Sequence, residues 1–525
     1  MARGKPLDPL ALRFKKSFPH SGNVMTDAHS NHQDSASSDD RPWLVSGVTG
    51  YMGGHLAVHL LDQGVPVRAM ARSPEKLVGR RWTERWNHCE IVQGDVLKPE
   101  SLEGVFDGVR VAFYLIHAMC AGKDYLQLEI DGARNFADAA AAAGVERVFY
   151  IGGLVPDGAD TQHIKAREAI GDTLREGKVP VTEIRAGIIV GPGSAAFEVM
   201  RDTVYHQPFI VSPPYVDRIS PPIALQNMCK YATELAVLPE AAGEIFDAAG
   251  PDHITYAEQM RVIAEVGGVK PRKIFRIPFL TERMAAFFLP VVSAVPASIT
   301  GALIEGMRQN FTADDTRIRE LVPQKLLNYR EATEAVFEAE RNQPVYTRWV
   351  DGGFIFRGMN HKSAYYGKQA TGNYWSPASP ESVWKVLCRI GGKNRYWYMN
   401  FLWFIREWLD VLVGGSGRSH YRRDPDVLEL GDRVDTWEVI AMEPGERFTL
   451  RFGMKAPGDG VLELEAVPEG EGTRVIATAT WHPAGVWGLL YWYALFLPHL
   501  VLFNGLTRRI GEAAETLERE QRAAS

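Results

Sequence analysis

The chain of 525 residues is poor in cysteine. Its four cysteines, Cys89, Cys120, Cys229 and Cys388, stand far apart and form no CxxC pair. Such spacing indicates neither a metal knuckle nor a disulfide framework. We therefore expect no metal site, and we expect a reducing, cytoplasmic setting.

A long basic run is also lacking, and the formal net charge is -6. This balance argues against a general nucleic-acid binder, so no nucleic-acid partner is expected. Hydrophobic residues make up 46% of the chain and charged residues 23%, which is typical of a soluble globular protein. The length predicts two or three domains.

The first residues lack both hydrophobic periodicity and the apolar core of a signal peptide. They are polar and end in a run of serine and aspartate at Ser35–Asp40. We predict a disordered tail over residues 1–41. Met25 is a possible alternative start, because the ordered pattern begins only at Trp43.

The run from Trp43 to Gly54 has the order strand, glycine turn, helix. Gly47, Gly50 and Gly53 lack a Cβ, so the backbone can turn sharply and let a pyrophosphate approach. The helix that follows offers free N–H groups and the positive end of its dipole. The strand–helix context makes a dinucleotide site a better interpretation than an ordinary glycine turn.

The predicted second strand, Val65–Arg72, lacks the acid that holds the ribose 2′-hydroxyl in NAD-preferring sites. It carries Arg68 and Arg72 instead, and Arg72 is placed to meet a 2′-phosphate. NADP is therefore the preferred cofactor, with NAD as the alternative. The other interpretation makes both arginines solvated surface charges.

Further apolar strands alternate with helical segments up to residue 193. The continuous apolar run Val111–Ile116 is typical of a central strand buried on both faces. The alternation predicts an α/β fold, a doubly wound parallel sheet whose ligands bind beyond the carboxyl ends of its strands. The other predicted strands are Ile91–Val96, Val148–Ile151 and Val181–Arg185.

Together, Gly47–Gly54, Gly94-Asp95-Val96 and the stretch from Arg185 to Gly193 resemble the short-chain dehydrogenase/reductase superfamily, in its atypical, NmrA-like branch. The resemblance covers residues 42–340 and implies a Rossmann-type, NAD(P)-binding oxidoreductase. It implies a loop along the cofactor at Leu115–Ala118, which includes His117, and Asp95 and Val96 near the adenine. The remaining cofactor-binding residues that it implies are Gly47, Thr49, Gly50, Tyr51, Met52, Gly53 and Arg72.

The catalytic pair of that superfamily, Tyr-x-x-x-Lys, is missing from this chain. His163 and Arg167 hold the spacing, with Lys165 between them, and Gly152-Gly153-Leu154 stands where a serine is common. In one hypothesis His163 acts as the acid/base, because its ordinary pKa lies near neutrality. In another the fold only binds dinucleotide, and His163 is a capping or surface residue.

Residues 274–337 resemble the variable part that covers the substrate crevice in this superfamily. Their apolar composition suggests either a hydrophobic substrate or the core of a lid. Residues 341–373 change character and are rich in small, polar, turn-forming residues. We interpret them as a linker.

From Tyr374 a second module is predicted, with a helix capped by Ser379, alternating strands and a closing helix over Leu506–Arg522. Residues 374–525 resemble the START-like, or polyketide cyclase-like, helix-grip fold. That resemblance implies an apolar or lipid ligand between sheet and helix. A group of aromatic residues lines either such a cavity or a plain core: Tyr396, Trp397, Tyr398, Phe401, Trp403, Phe404 and Trp408.

Val486–Phe503 is nearly continuous in apolar residues and close to bilayer length. Three interpretations stay open: a buried or lid helix, a peripheral membrane contact through residues 486–503, and a true span. Arg508 and Arg509 either contact lipid phosphates or are solvated.

These observations favour an NADP-dependent oxidoreductase acting on a hydrophobic small molecule or lipid, cytoplasmic or membrane-associated. The alternatives are a non-catalytic sensor or assembly factor, and a lipid carrier regulated by redox state.

Overall fold

The computed structural model describes residues 40–524, apart from 75–76, 78–87, 118–124, 157, 159–160, 282–283, 286, 288, 290–292, 296, 343–362, 393, 413, 415–423. The predicted tail and the alternative start at Met25 lie outside the described residues, except for positions 40–41. Ala118 and most of the predicted linker also lie outside them.

A seven-stranded parallel sheet organises the first part of the chain, in the order β11-β6-β5-β4-β1-β2-β3. Helices cover both of its faces, so the predicted Rossmann-type α/β fold is confirmed. Its first elements are β1 (Trp43–Val45), α1 (Tyr51–Asp62), β2 (Val67–Ala71), β3 (Cys89–Gln93), β4 (Val111–Tyr114), α2 (Tyr125–Ala142), β5 (Arg147–Gly153), α3 (Gln162–Arg175) and β6 (Val181–Ala186). They are followed by β7 (Ile189–Val190), α4 (Ala195–His206), β8 (Ile210–Ser212), β9 (Ile219–Ser220), β10 (Ile223–Ala224), α5 (Leu225–Leu235), β11 (Ile245–Ala248), β12 (Ile254–Thr255), α6 (Tyr256–Val266), β13 (Ile274–Arg276), α7 (Ala297–Gly306), α8 (Thr316–Leu321) and α9 (Tyr329–Asn342).

The central strands are apolar because both of their faces are covered. All four residues of β4 are buried, and so are the three of β1. Phe113 of β4 contacts both Trp43 and Phe149 through its ring, with centroids 5.9 and 5.1 Å away. Tilted ring contacts of this kind between adjacent strands favour their observed register.

The strand order reverses between β1 and β4, which pair through Leu44–Ala112 and Val45–Phe113. Ser46, just after β1, ties the two strand ends together. Its hydroxyl donates to the Phe113 carbonyl at 2.7 Å and accepts from the Leu115 N–H at 3.1 Å. In parallel α/β sheets such a reversal opens the crevice in which ligands bind.

The C-terminal part contains a six-stranded antiparallel sheet in the order β14-β19-β18-β17-β16-β15. One long helix, α12, packs across β14 and β19. The elements are β14 (Lys368–Ser376), α10 (Pro380–Leu387), α11 (Asn400–Leu412), β15 (Arg433–Val434), β16 (Trp437–Glu443), β17 (Arg447–Phe452), β18 (Gly458–Glu469), β19 (Gly472–Pro483) and α12 (Gly485–Ala524).

The predicted linker needs a correction at its end. Strand β14 begins at Lys368, inside the stretch 341–373, and pairs with β19 along its full length. Gly372 was taken as a turn former, but it sits mid-strand against α12. A Cβ at Gly372 would lie 2.3 Å from the backbone carbon of Phe503, so the glycine lets helix and strand approach closely.

The apolar run 486–503 and the predicted closing helix are one continuous helix, α12, of 40 residues with Pro498 inside it. Leu489, Trp492 and Phe503 face the sheet and are buried. By length and composition alone, α12 is apolar enough to cross a membrane, with 28% of its most apolar window buried.

Candidate functional site

The glycine turn after β1 has no room for side chains. Gly47 has a φ of +63°, and a Cβ there would lie 2.3 Å from the Leu115 carbonyl oxygen. A Cβ at Gly53 would lie 2.4 Å from the Gly47 carbonyl oxygen. Both glycines are therefore needed for the close packing of β1, α1 and the loop after β4.

Helix α1 begins without a side-chain cap. Its N-cap residue is Gly50, and both Thr49 and Gly50 are exposed. The N–H groups of the first turn thus face an open side of the turn, where an anion can bind them. This arrangement fits the pyrophosphate of a dinucleotide.

The side chains of Tyr51 and Met52 point away from this opening. The Tyr51 hydroxyl donates to the Ile189 carbonyl at 3.2 Å, and burial raises the pKa of Tyr51 well above its ordinary value. Met52 packs against the core. Both residues were predicted to bind cofactor, and the structure leaves only their backbone N–H groups for that role.

The two arginines of the second strand have different surroundings. Arg68 donates to the Glu90 carboxylate at 2.7 Å and to the carbonyls of Val105 and Asp107. Arg72 follows the last residue of β2 and is exposed. Only Arg72 is therefore available to a 2′-phosphate beyond the carboxyl end of β2.

The predicted adenine contacts lie after β3. Asp95 is half-buried, and its carboxylate accepts from the Leu97 N–H at 3.1 Å. Val96 is buried in the core, and its carbonyl accepts from Asn135 at 2.8 Å. The Val96 side chain therefore takes no part in a cofactor site, whereas Asp95 stays a prediction.

An open cleft of about 840 Å³ lies beyond the carboxyl ends of β5 and β6. Its described lining is mostly apolar, and its polar side chains are His163, Arg167, Ser220 and Tyr256. The apolar lining is formed by Gly153, Leu154, Ile164, Ala186, Gly187, Ile188, Ala196, Val199, Met200, Leu303, Gly306, Met307 and Phe311.

Helix α3 presents His163 and Arg167 to this cleft. The Thr161 side chain caps the helix by accepting from the Ile164 N–H, and His163 and Arg167 stand one turn apart on the same face. Lys165 lies two residues along, about 200° around the helix, and is exposed. Lys165 therefore does not line this cleft, and its catalytic role stays a prediction without support from the cleft geometry.

Arg167 also contacts His117 at the end of β4, across 2.5 Å between Nη1 and Nε2. Burial, with Arg167 and His163 nearby, holds the pKa of His117 well below its ordinary value. Its Nδ1 is buried and has no hydrogen-bond partner among the described residues. A neutral imidazole that accepts at Nε2 carries its proton at Nδ1, so this donor can serve a bound ligand.

His163 does not suit the acid/base role first given to it. Burial, followed by the charge of Arg167, lowers its pKa to about 4. The imidazole is therefore neutral at pH 7 and carries no proton ready for transfer. The argument from its ordinary pKa near neutrality is thus overturned by the local environment.

Two hydroxyl groups in the cleft, Ser220 and Tyr256, were not expected from the sequence. Burial raises the pKa of Tyr256 to about 12, against a smaller opposing effect of Ser220. The phenol is therefore protonated at neutral pH. The capping box of Thr255 and Glu258, at the start of α6, was a local signal for the helix that positions Tyr256.

The C-terminal part touches the turn Gly191-Pro192-Gly193, next to the start of α1. The Tyr366 hydroxyl donates to the Gly193 carbonyl at 2.9 Å, and the Tyr365 ring fills the space that a Cβ at Gly193 would need. The same turn also contacts α1, where Nε2 of His55 lies 3.0 Å from the Pro192 carbonyl oxygen. This turn is thus held between α1 and the segment that leads into β14.

Comparisons with known families divide the chain in two. Residues 41–190 match the NmrA-like family, and residues 368–506 match a family described only as a protein of unknown function (DUF2867). The first match covers β1 to β6, six of the seven strands of the parallel sheet. The START-like assignment of the second module is not confirmed.

Curated relatives are distant. Cinnamoyl-CoA reductase 1 of Oryza sativa subsp. japonica is 30% identical over 109 residues, which are 20% of this chain and 32% of that protein. Photosystem II assembly factor Ycf39 of Cyanophora paradoxa is 22% identical over 254 residues, 47% of this chain and 75% of that protein. The chain thus spans about a third of the first relative and three quarters of the second.

Solved structures of similar fold include the Citrobacter sp. triphenylmethane reductase complexed with NADP(H). It is 22% identical, covers 56% of this chain and 99% of its own, and has a TM-score of 0.46. An NADPH-dependent quinone oxidoreductase of Escherichia coli, complexed with NADPH, is 18% identical with a TM-score of 0.47, at 56% and 99% coverage.

Proposed function

We propose that the protein is an NADP-dependent reductase that transfers a hydride to an apolar, conjugated acceptor in the cleft beside α3. The observation that carries this proposal is the set of polar groups facing an otherwise apolar cleft. One is a permanent cation, Arg167, one is a neutral imidazole, His163, and one is a protonated phenol, Tyr256.

The glycine turn supports the choice of cofactor class. Gly47, Thr49, Gly50 and Gly53 would hold the pyrophosphate against the first turn of α1, and Arg72 would meet a 2′-phosphate. A bound nicotinamide would supply the hydride. The preference for NADP over NAD rests on Arg72 and on the absence of an acid from Val65 to Pro74.

The polar groups of the cleft determine which acceptor is suitable. A hydride that reaches an electrophilic carbon leaves negative charge on a conjugated oxygen, and the Arg167 guanidinium can stabilise that charge in this mostly apolar cleft. His163 lacks a transferable proton at pH 7, whereas Tyr256 retains one. We therefore assign proton donation to Tyr256 and anion stabilisation to Arg167.

The apolar lining supports a hydrophobic substrate. Leu303, Met307 and Phe311 come from the segment that we expected to cover the crevice, and they face the cleft opposite Leu154 and Ile164. A flat conjugated molecule without charge would bury its surface here at little desolvation cost.

The test uses the full chain with NADPH deuterated at either face of the nicotinamide C4. Probes are a diaryl enone and its saturated ketone analogue. We expect deuterium on the β-carbon of the enone, a primary isotope effect with one of the two labelled cofactors, and little reaction of the saturated ketone. Label on neither probe, together with tight NADPH binding, would overturn the proposal.

Matched variants on α3 sharpen this test. Arg167→Met should lower kcat/KM by about a hundredfold, as expected for loss of an anion-stabilising group. Lys165→Met removes the same charge from the exposed side of the same helix and should change kcat/KM less than twofold. Tyr256→Phe should lower kcat at neutral pH and leave NADPH binding unchanged.

A non-catalytic role is the second candidate. It is favoured by the missing Tyr-x-x-x-Lys pair and by similarity to an assembly factor over most of that factor's length. In that case NADPH binds, no label moves, and binding changes what the protein associates with. The lipid-carrier alternative would be supported by lipid that copurifies with the full chain, and consistently lipid-free preparations would contradict it.

A further inference from the structure

Helix α11 has its polar side turned inward. Glu407 and Asp410 are buried, at 4% and 0% exposure. Glu407 accepts from the Arg395 guanidinium at 2.7 Å, and Asp410 accepts from the Lys455 N–H at 2.6 Å. The 3.6-residue period therefore turns the large apolar side chains of α11 outward.

These outward side chains are well exposed. Trp408 is 52% exposed and Leu412 is 71% exposed, and they stand one turn apart. This corrects the expectation that Phe401, Phe404 and Trp408 line a cavity or a core. Of the predicted aromatic group, Tyr396 and Trp403 do pack inside, with stacked rings whose centroids are 4.3 Å apart.

The first half of α12 has a similar outward side. Its exposed large side chains are apolar from Trp487, at 76%, through Leu497, at 71%, to Val501. Polar residues take over this side from Asn504 onward, where Arg508 and Arg509 pair with Glu512. The apolar stretch from residue 487 to 501 is about 21 Å long at 1.5 Å per residue.

A hydrogen bond links the two helices. The Arg406 guanidinium of α11 donates to the Tyr491 hydroxyl of α12 at 3.3 Å. Ile405 and Leu490, the residues just before this pair, are both exposed. We call the combined surface the two-helix face, and it consists of Phe401, Phe404, Ile405, Trp408, Leu409 and Leu412 of α11 with Trp487, Leu490, Tyr493, Leu497 and Val501 of α12.

We propose that the two-helix face rests in the headgroup–acyl boundary of an anionic lipid bilayer, so that the protein is held on one membrane surface. Both acids of α11 are buried, so its outward side presents no carboxylate to the lipid. Tryptophan and tyrosine at positions 408, 487 and 493 are the residue types that favour this boundary.

Cations at the margin of the face complement anionic headgroups. Lys455 is exposed beside the end of α11, and its ammonium lies near Gly414. Arg508 and Arg509 follow the apolar half of α12 at 67% and 60% side-chain exposure, against one shared glutamate. Basic residues next to an apolar helix face strengthen attachment to anionic lipid.

A transmembrane span does not fit, because the other side of α12 belongs to the fold. Leu489, Trp492, Phe503 and Leu506 are buried against the antiparallel sheet. Attachment to one membrane surface follows from this packing of α12 and does not require the proposed reductase activity.

The experiment is sedimentation of the full chain with vesicles of phosphatidylcholine alone or mixed with phosphatidylglycerol. We expect binding to the mixed vesicles, with at least tenfold weaker binding for Trp408→Glu/Leu412→Glu and for Leu497→Glu. Val467→Glu is the matched control, because Val467 is an exposed apolar residue of β18 opposite Arg474. That variant should bind like the wild type.

Further measurements distinguish lipid binding from misfolding, from dimerisation through the two-helix face and from a transmembrane span. Circular dichroism and NADPH binding in solution should be unchanged in all variants, which excludes misfolding as the cause of lost vesicle binding. No vesicle binding by the wild type, or equal binding by all variants, would overturn the proposal. A wild-type dimer by light scattering that the α11 variant dissociates, without vesicle binding, would assign the face to a second copy. Resistance to alkaline carbonate extraction would indicate a span instead.

Discussion

The guanidinium of Arg167 donates to Nε2 of His117 and so joins α3 to the end of β4, across 50 residues of sequence. The acceptor role requires a neutral imidazole, and burial, with Arg167 and His163 nearby, lowers the pKa of His117 and keeps the imidazole neutral. His163, one turn before Arg167, is affected by the same charge. At physiological pH the Arg167 cation therefore stands beside two neutral histidines: His163, which lines the cleft, and His117, which accepts from Arg167.

This arrangement predicts a dependence of stability on pH. The pKa of His163 falls from 6.5 to about 4 on folding, so between these values the unfolded chain binds a proton that the folded chain does not. The resulting stability is fully present above pH 6.5 and is lost as the pH falls toward 4. It amounts to about 3 to 4 kcal/mol at most, at about 1.4 kcal/mol per pKa unit for a fall of about 2.5 units.

The measurement is the urea midpoint of unfolding between pH 4 and pH 8. His163→Gln should make the profile less steep between pH 4 and 6.5, because glutamine does not titrate there, and the slope that remains includes the contribution of His117. His253→Gln removes an exposed histidine and serves as the control. Parallel profiles for the wild type and His163→Gln would contradict the assigned pKa of His163.

Cofactor preference should depend on Arg72 and not on Arg68. Arg72→Ala is expected to weaken NADPH binding by about tenfold or more and to leave NADH binding unchanged, because only NADPH carries the 2′-phosphate. Arg68→Ala should lower stability and keep the preference, since Arg68 is bonded to Glu90 and to two backbone carbonyls. Isothermal titration with both cofactors decides between these outcomes. Equal binding of the two cofactors by the wild type would rule out the preference.

Gly53→Ala should abolish dinucleotide binding. The new Cβ would lie 2.4 Å from the Gly47 carbonyl oxygen, so the turn must open. Overpacking of this kind costs about 1–3 kcal/mol. Gly301→Ala is the control, because nothing lies within 4 Å of its Cβ and alanine favours the helix. Cofactor titration and thermal melts should separate the two variants, and retained binding by Gly53→Ala would contradict the dinucleotide assignment of this turn.

Gly372→Val should loosen α12 from the antiparallel sheet. The valine side chain would overlap the backbone of Phe503, at a cost of about 3 kcal/mol or less if the helix shifts. Thr371→Val changes the neighbouring exposed position and should stay within about 0.5 kcal/mol of the wild type. Hydrogen exchange of α12 gives the readout, with faster exchange expected in Gly372→Val only. Unchanged exchange would show that β14 and α12 are less closely packed than described.

Much of the first domain was predictable because its signals are local. The glycines at 47 and 53 encode a turn that has no room for a Cβ at either position, and the apolar run at Val111–Tyr114 encodes burial on both faces. The predicted parallel sheet followed from the alternation of such strands with helices. The polar strand β14 gave no such signal, since its alternation is interrupted by Gly372.

The cleft chemistry was less predictable, for two physical reasons. The spacing of His163 and Arg167 on one helix face is visible in the sequence. Their neighbour His117, however, lies in the segment after β4, far away in the sequence. The environment of a side chain decides its pKa, and the desolvation that brings His163 to about 4 depends on surrounding elements. The aromatic group between Tyr396 and Trp408 was likewise visible in the sequence, but the sequence did not show which of its side chains point inward.

The hydrogen bond from Tyr366 to the Gly193 carbonyl links the two halves of the chain, so it is lost when they are separated. A turn beside the first helix of the Rossmann domain is completed by a residue that lies after that domain in the chain. Fusing either half to a different protein would remove the hydrogen bond between Tyr366 and Gly193. The first half on its own would therefore lack the hydroxyl that completes this turn.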